Sequence, residues 1–384
     1  MPPLLEAQLP AADKDAIAKY LAGLFPLGGK QRDLKLDALV RDENALDEAI
    51  YVQYELPPIQ GGDFSNAKIA PGFHDAFPGQ HPDYKGKVWL SGTGSGSILL
   101  VDVRTPGLTA DERTKQWRIT TPNNFNVRPH GITEFRGIVW TSNLSDGGGV
   151  TEFNPKTGDF HHYLPEESKG SGGFTVVADS KGNIWWTNNM GHGRVVRLDA
   201  VTKKITEYNP VPAAGWYGIT VDKRDRVFPA GYGLGYDVPM YDPKTDKWTL
   251  YKFPNTNRRP TVDSKGVVWT SQFYGNSFGR LAPDSNKTSD FKLPLRYGNP
   301  YEISADSQDN LWATVWDYDS LVKFDPKTKK FTYFPFPILN GEVPKINRDA
   351  AGDPWFALGG QLTTFRPNGN RALGGNRARS TSAK

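Results

Sequence analysis

An aromatic residue returns along most of this chain at a near-constant interval. It stands as Trp89-Leu90, Trp140-Thr141, Trp186-Thr187, Phe228-Pro229, Trp269-Thr270, Trp312-Ala313 and Trp355-Phe356, with successive spacings of 51, 46, 42, 41, 43 and 43 residues. The unit around the third of these reads as four short strands: Gly173–Asp179, Asn183–Thr187, Arg194–Asp199 and Lys204–Tyr208. Four such strands cannot bury both faces alone, so each unit needs a neighbour on either side. A period near 43 with four strands per unit predicts a β-propeller, and no helical period runs across the repeats. Two further markers recur. Asn154-Pro155-Lys156-Thr157, Asp242-Pro243-Lys244-Thr245 and Asp325-Pro326-Lys327-Thr328 are type I turns between outer strands. The segments ITEYNP, TLYKFP, DFKLPL and FTYFPFP close successive units. The expected fold is all-β: a seven-bladed propeller of four-stranded antiparallel blades.

Composition agrees and removes some functions. The 40 glycines and 30 prolines suit many tight turns, and the 12% aromatic content suits wedges between sheets. With no cysteine, disulfides, thiol catalysis and thiolate metal sites are excluded. The net charge of +4 is spread along the chain rather than gathered in a stripe, which argues against nucleic acid as a partner. No apolar run is long enough for a membrane span, and no signal peptide is evident.

Taken in order, residues 1–48 are expected to be a helical segment, 49–369 the propeller and 370–384 a disordered basic tail. Pro10–Phe25 has Ile17, Tyr20, Leu21 and Leu24 on one helical face, and Leu34–Leu46 reads as a second helix. Ala49–Pro57 has the pattern of a closing strand but precedes the first full unit, whereas the last unit, Leu339–Pro367, has only three strands. The early strand should therefore complete the last blade and close the ring, leaving fewer open edges. Pro106–Lys115 reads as an insertion between the outer strands of blade one.

Ligands usually meet a propeller where the innermost strands start and the second strands end. Aligning the units brings His130, Phe174, Tyr217, Arg258, Tyr301 and Pro344 to the inner-strand starts. The second-strand exits bring Asn143, Asn189, Tyr232 and Gln272. Glu302 and Glu342 are the nearest carboxylates and would share a site with Lys345. Trp216 and Trp316 are expected in loops on this face, where they would stack on a ligand with Tyr232, Tyr236, Tyr274 and Tyr318. His130 is either a general base or a ring bonded to a neighbouring backbone carbonyl. Arg258-Arg259 either pairs with Glu302 or binds an anion. His192 with Asn189 is a metal candidate, although the exits offer amides where a hard cation wants several charged oxygens.

The sets Arg128-Pro129-His130-Gly131-Ile132-Thr133, Gly182–Thr187, Gly279-Arg280-Leu281 and Ile205–Tyr208 resemble the virginiamycin B lyase (streptogramin lyase) family over roughly Ala49–Asn368. The resemblance implies a seven-bladed propeller that opens a cyclic depsipeptide by elimination, with Mg²⁺ assistance. It also implies working residues in the last two blades. Glu342 stands at the family's glutamate, but Pro344 and Tyr301 stand where the family has histidines. Leu358-Gly359 follows Trp355-Phe356-Ala357 where a second glutamate is expected. The intact Arg-Pro-His motif lies in blade two. Thus His130, Glu342, Glu302 and Tyr301 are the catalytic candidates, and Arg258, Tyr217, Asn143, Asn189, Tyr232, Gln272, Trp316 and Lys345 the ligand-binding ones. Separately, Met1–Pro26 resembles the last stretch of a c-type cytochrome. This implies a cytochrome domain or partner and a periplasmic or extracellular setting, although without cysteine this chain holds no covalent haem. Three readings follow: a carbon–oxygen lyase, a ligand-binding or sensing propeller, and an electron-transfer partner, in each case a monomer.

Overall fold

The structure is a computed structural model. It describes residues 11–26, 28–29, 35–61, 68–69, 72–120, 127–144, 149–167, 172–188, 193–211, 215–232 and 237–369, with only the backbone of Ala11, Lys68, Ile69 and Tyr232. The chain divides into Met1–Ala38 and Leu39–Lys384. In the first unit Ala11–Leu24 is a helix, and Ile17, Tyr20, Leu21 and Leu24 are exposed on it. The second helix is shorter than expected. It covers Glu43–Glu48, with Asp42 capping its start by accepting from the Ala45 N–H. Leu36 and Val40 are exposed on irregular chain before it.

The second unit contains seven four-stranded antiparallel sheets. The strand Ile50–Tyr54 joins the last sheet beside Gln361–Arg366, in register from Ile50 opposite Arg366 to Tyr54 opposite Leu362. This is the expected closure, and it ties the two ends of the ring with main-chain hydrogen bonds. Tyr51 fixes the strand further: its hydroxyl donates to the Phe334 carbonyl at 2.9 Å, and its ring lies 4.7 Å from that of Phe365. The insertion in blade one holds a single helical turn, Ala110–Arg113, with Thr109 and Glu112 forming a capping box.

In blades three, five, six and seven the inner strand ends in an aspartate turn that explains the recurring tryptophan, whereas the blade-one Trp89 indole donates to Glu134 of blade two at 3.1 Å. Asp179, Asp263, Asp306 and Asp349 each accept backbone N–H groups two and four residues on, then the indole N–H six residues on. An indole can thus be buried between sheets without an orphaned donor. In blade four Phe228 replaces the tryptophan, and the Arg226 guanidinium fills the Asp222 carboxylate instead, at 2.7 Å. These bonds correct the repeat register in blade three: Trp185, not Trp186, carries the indole bonded to the aspartate. Both rings are fully buried, so their hydrophobicity alone did not separate them.

At the opposite end of the inner strands, a belt of hydroxyls links blades one to two, two to three, three to four and five to six. Ser142 Oγ accepts from the Gly131 N–H of its own blade at 3.0 Å and donates to the Phe174 carbonyl of the following blade at 2.7 Å. Ser91 does the same for Asp75 and His130, Thr187 for Thr175 and Tyr217, and Ser271 for Arg259 and Tyr301. In blade four the position is Ala230, and the Gly218 N–H bonds directly to the Arg258 carbonyl at 3.2 Å. That approach needs glycine, because a Cβ on Gly218 would lie 2.6 Å from Pro260 Cδ and 2.7 Å from the Arg258 oxygen.

Candidate functional site at the axial end

The belt sets a two-tier arrangement around the axis. Inner strands of blades two, three, four and six carry a β-bulge here, seen as register shifts at Pro129/Ile132, Gly173/Val176, Trp216/Gly218 and Pro300/Ile303. A bulge turns two neighbouring residues towards the same region and breaks the strict alternation of a strand. The first residue of each pair forms an aromatic and basic tier: His74, His130, Phe174, Tyr217, Arg258 and Tyr301. The second forms a charged tier, with Asp75, Arg259, Glu302 and, from blade seven, Lys345.

In the first tier the His74 and His130 rings lie 3.5 Å apart between centroids at 32°. His130 Nδ1 is 2.8 Å from the Phe174 carbonyl, which can only accept, so Nδ1 carries the proton. His74 Nδ1 is 2.6 Å from Asp75 Oδ1. Burial holds both imidazoles well below the ordinary histidine range, helped at His74 by Arg259, Lys345 and Arg258 and at His130 by His74. Further round, the Arg258 guanidinium sits 3.8 Å over the Tyr301 ring, which stacks on Trp316 at 3.9 Å and 10°. The Tyr217 and Tyr301 hydroxyls are hydrogen-bonded to each other.

In the second tier Glu302 is completely buried between two cations. Lys345 Nζ donates to Oε1 at 2.9 Å, and Arg259 Nε lies 3.0 Å from Oε2. The Arg259 contact is coulombic, since neither of its two atoms makes an aligned hydrogen bond. Arg259 Nη1 also reaches across to Thr175 Oγ1 at 3.2 Å. Burial pushes the Glu302 and Asp75 carboxyls above their ordinary range, while the neighbouring cations pull the other way.

The structure therefore brings together His130, Tyr217, Arg258, Tyr301, Glu302, Trp316 and Lys345. Glu342 is not part of this cluster: it is exposed on the segment before the two-residue inner strand Asn347–Arg348. Asn143 is buried, with its amide N–H donating to Thr151 Oγ1. Gln272 is buried and engaged with Asn255, Asn257 and Ser277. Trp216, expected in a loop, lies inside the strand Gly215–Val221 and packs with Trp185 and Tyr241 in the core between blades. Its neighbour in sequence, Tyr217, occupies the axial position because the bulge falls between them and Gly218. Asn189, His192, Tyr236 and the tail 370–384 lie outside the described residues, as does the Tyr232 side chain. Sequence reasoning missed His74 and Asp75 as site residues, since they sit in a Gly- and Pro-rich stretch before the first marker. They lie 17 and 16 residues before Ser91, whereas His130 and Gly131 lie 12 and 11 before Ser142, so repeat spacing did not align them.

The donor set does not fit a Mg²⁺ cradle. Among the described residues no three His, Asp or Glu side chains converge as metal ligands, and the axial carboxylates face Arg259 and Lys345.

No family model matches the sequence, and no curated protein matches it. Solved structures do. A streptogramin B lyase aligns with a TM-score of 0.69 and 20% identity, over 84% of this chain and 99% of that one. A catalytically inactive virginiamycin B lyase from Staphylococcus aureus, crystallised with quinupristin, aligns at 0.55 and 24% identity, over 60% of this chain and 78% of its own. The extracellular domain of a one-component system from B. thetaiotaomicron aligns at 0.59 and 14% identity, over 82% of this chain and 39% of that one. The shared feature is the fold, found in lyases and in an extracellular domain alike. Among the described residues no helix is long and apolar enough to cross a membrane.

Proposed function

We propose that this propeller binds a small organic molecule bearing an anionic or ester group at its axial end. The observation that carries this reading is the layered ledge of Arg258 over Tyr301 over Trp316, at 3.8 and 3.9 Å. A guanidinium fixed on an aromatic face offers its edge to a carboxylate or carbonyl, while the aromatic layers offer apolar area. The charge around it supports the same ligand class. Arg258, Arg259 and Lys345 stand near Asp75 and Glu302, so cations exceed carboxylates. Calorimetric titration with a panel of organic carboxylates, lactones and cyclic depsipeptides tests it. Binding by the wild type that Arg258→Ala removes supports the site; binding unchanged in Arg258→Ala, or none across the panel, refutes it.

The stacked histidines favour a second reading, carbon–oxygen lyase activity on an ester at the same place. Quinupristin, with and without Mg²⁺, is the direct probe. Elimination opens the ring with no change in mass, whereas hydrolysis adds a water, so mass spectrometry separates the two. The cytochrome-like start of the sequence and the extracellular domain among the structural neighbours support an extracytoplasmic setting with a c-type cytochrome as domain or partner.

A further inference from the structure

We propose that the second tier of the axis holds a small monovalent anion, chloride in ordinary salt, at the Arg259 guanidinium. This site is distinct from the ledge of Arg258 and does not depend on what that ledge binds.

Two observations carry it. The first is an orphaned donor. The Arg259 side chain is 1% exposed, and its Nη2 has no acceptor among the described residues. Its Nη1 is spent on Thr175 Oγ1 at 3.2 Å, and its Nε lies 3.0 Å from Glu302 Oε2 without an aligned hydrogen bond. The carboxylates nearby are engaged elsewhere. Glu302 Oε1 accepts from Lys345 Nζ at 2.9 Å, and Asp75 Oδ1 meets His74 Nδ1 at 2.6 Å. A buried charged donor without an acceptor is costly, so Nη2 calls for one that the chain does not supply.

The second is a crowding of positive charge. Arg258 and Arg259 adjoin in sequence, yet both guanidinium carbons pack over the same two rings. They lie 4.7 and 4.6 Å from the Tyr217 centroid, and 3.8 and 5.6 Å from that of Tyr301. Lys345 adds a third cation on the other oxygen of Glu302. Against these three the described residues set two carboxylates, Asp75 and Glu302. The buried imidazoles of His74 and His130 are neutral and add nothing. One positive charge is left over in a sheltered place, where an uncompensated charge is poorly tolerated. A water would satisfy the Nη2 N–H but not that charge, whereas a monovalent anion does both. A halide suits so small a donor set, because it accepts without directional preference. Sulfate would bring more charge than is left over and would ask for more donors.

Bromide is the probe, since it replaces chloride and scatters anomalously. Crystals of the full chain soaked in sodium bromide should show an anomalous peak in contact with Arg259 Nη2. In solution, each tenfold rise in chloride above its dissociation constant should raise the unfolding midpoint by about 2 °C. Arg259→Met combined with Glu302→Gln removes the donor together with the carboxylate it faces. This variant should lose the peak and the chloride increment, while general salt effects act on both proteins alike. A water alone at Nη2 in bromide-soaked wild-type crystals overturns the proposal. So does a peak with a chloride increment equal in wild type and variant, which marks an adventitious ion only, and so does a peak that survives in the variant. Should the variant fail to fold, as judged by circular dichroism, the wild-type crystals decide by themselves. Calorimetry on Arg258→Ala reads the organic ligand and bromide reads Arg259, so either site can fail without the other.

Discussion

The imidazoles of His74 and His130, from adjacent blades, stack with their centroids 3.5 Å apart. Two imidazolium ions at that distance would repel each other in a buried site, so the contact needs at least one neutral ring, and burial keeps both neutral in the folded protein. The stack therefore couples the axial site to pH.

Acid should destabilise the protein through these two residues. Their folded-state affinity for protons lies below that of the unfolded chain. Below about pH 6.5 the unfolded chain gains a proton at each while the folded chain does not. Stability is then lost as pH falls, by up to about 1.4 kcal/mol per pH unit for each histidine. Asp75 and Glu302, displaced upwards, act in the opposite sense, and their stability is lost as pH rises through their folded-state range. His74→Asn/His130→Asn should flatten the slope of unfolding free energy between pH 6.5 and 5, measured by guanidinium denaturation. An unchanged slope would show that the rings protonate within the fold.

The buried charges of the second tier should be sensitive to unequal removal. Arg259→Met leaves Glu302 with Lys345 alone and should cost about 3–5 kcal/mol. Adding Glu302→Gln should recover part of that loss, since the uncompensated carboxylate is gone. Chemical denaturation of the single and double variants gives the coupling. A double variant as unstable as the sum of its parts would show the two residues to be independent.

The hydroxyl belt gives a smaller, local effect. Ser142→Ala removes the acceptor for the Gly131 N–H and the donor to the Phe174 carbonyl, and should cost about 1–3 kcal/mol. The reverse comparison lies within the protein, since blade four does without a hydroxyl only because Gly218 lets two backbones meet. Thermal unfolding of Ser142→Ala, alongside Ser142→Thr as a hydroxyl-keeping variant, measures the difference.

Closure of the ring should depend on one aromatic anchor. Tyr51→Ala removes the bond to the Phe334 carbonyl and the packing on Phe365, and should cost about 3–5 kcal/mol, the range for large-to-small core changes. It should also expose the edge of Gln361–Arg366, read as faster proteolysis near the chain ends and as concentration-dependent association. Loss of stability spread evenly, without early cleavage there, would place the weak point elsewhere.

The repeat carried the architecture plainly. Trp89, Trp140, Trp269, Trp312 and Trp355 recur because the blades need buried wedges, with a carboxylate accepting from the indole at Trp89, Trp269, Trp312 and Trp355, and the unpaired pattern of Ala49–Pro57 anticipated the closing strand. The Arg258-Arg259 dipeptide suggested a buried pair with Glu302, and the structure selects Arg259 for it. The choices that failed were those between neighbours. Trp185 and Trp186 are alike in sequence, and Trp216 beside Tyr217 looked equally axial. Alternation along a strand separates such pairs, but a bulge at the axial end resets it, and a bulge is set by contacts with the next blade.

What the sequence determined by itself was the local unit: four strands, an outer turn opened by Asp or Asn and Pro, and an aromatic wedge, repeated until the ring could close. These are short-range demands of hydrogen bonding and burial, satisfied within about forty residues. The tertiary structure alone decided the site. His74 meets His130, and Arg259, Glu302 and Lys345 meet Asp75, only because ring closure brings one residue from each blade to a common axis. Their burial, and with it their charge state, exists only after that closure.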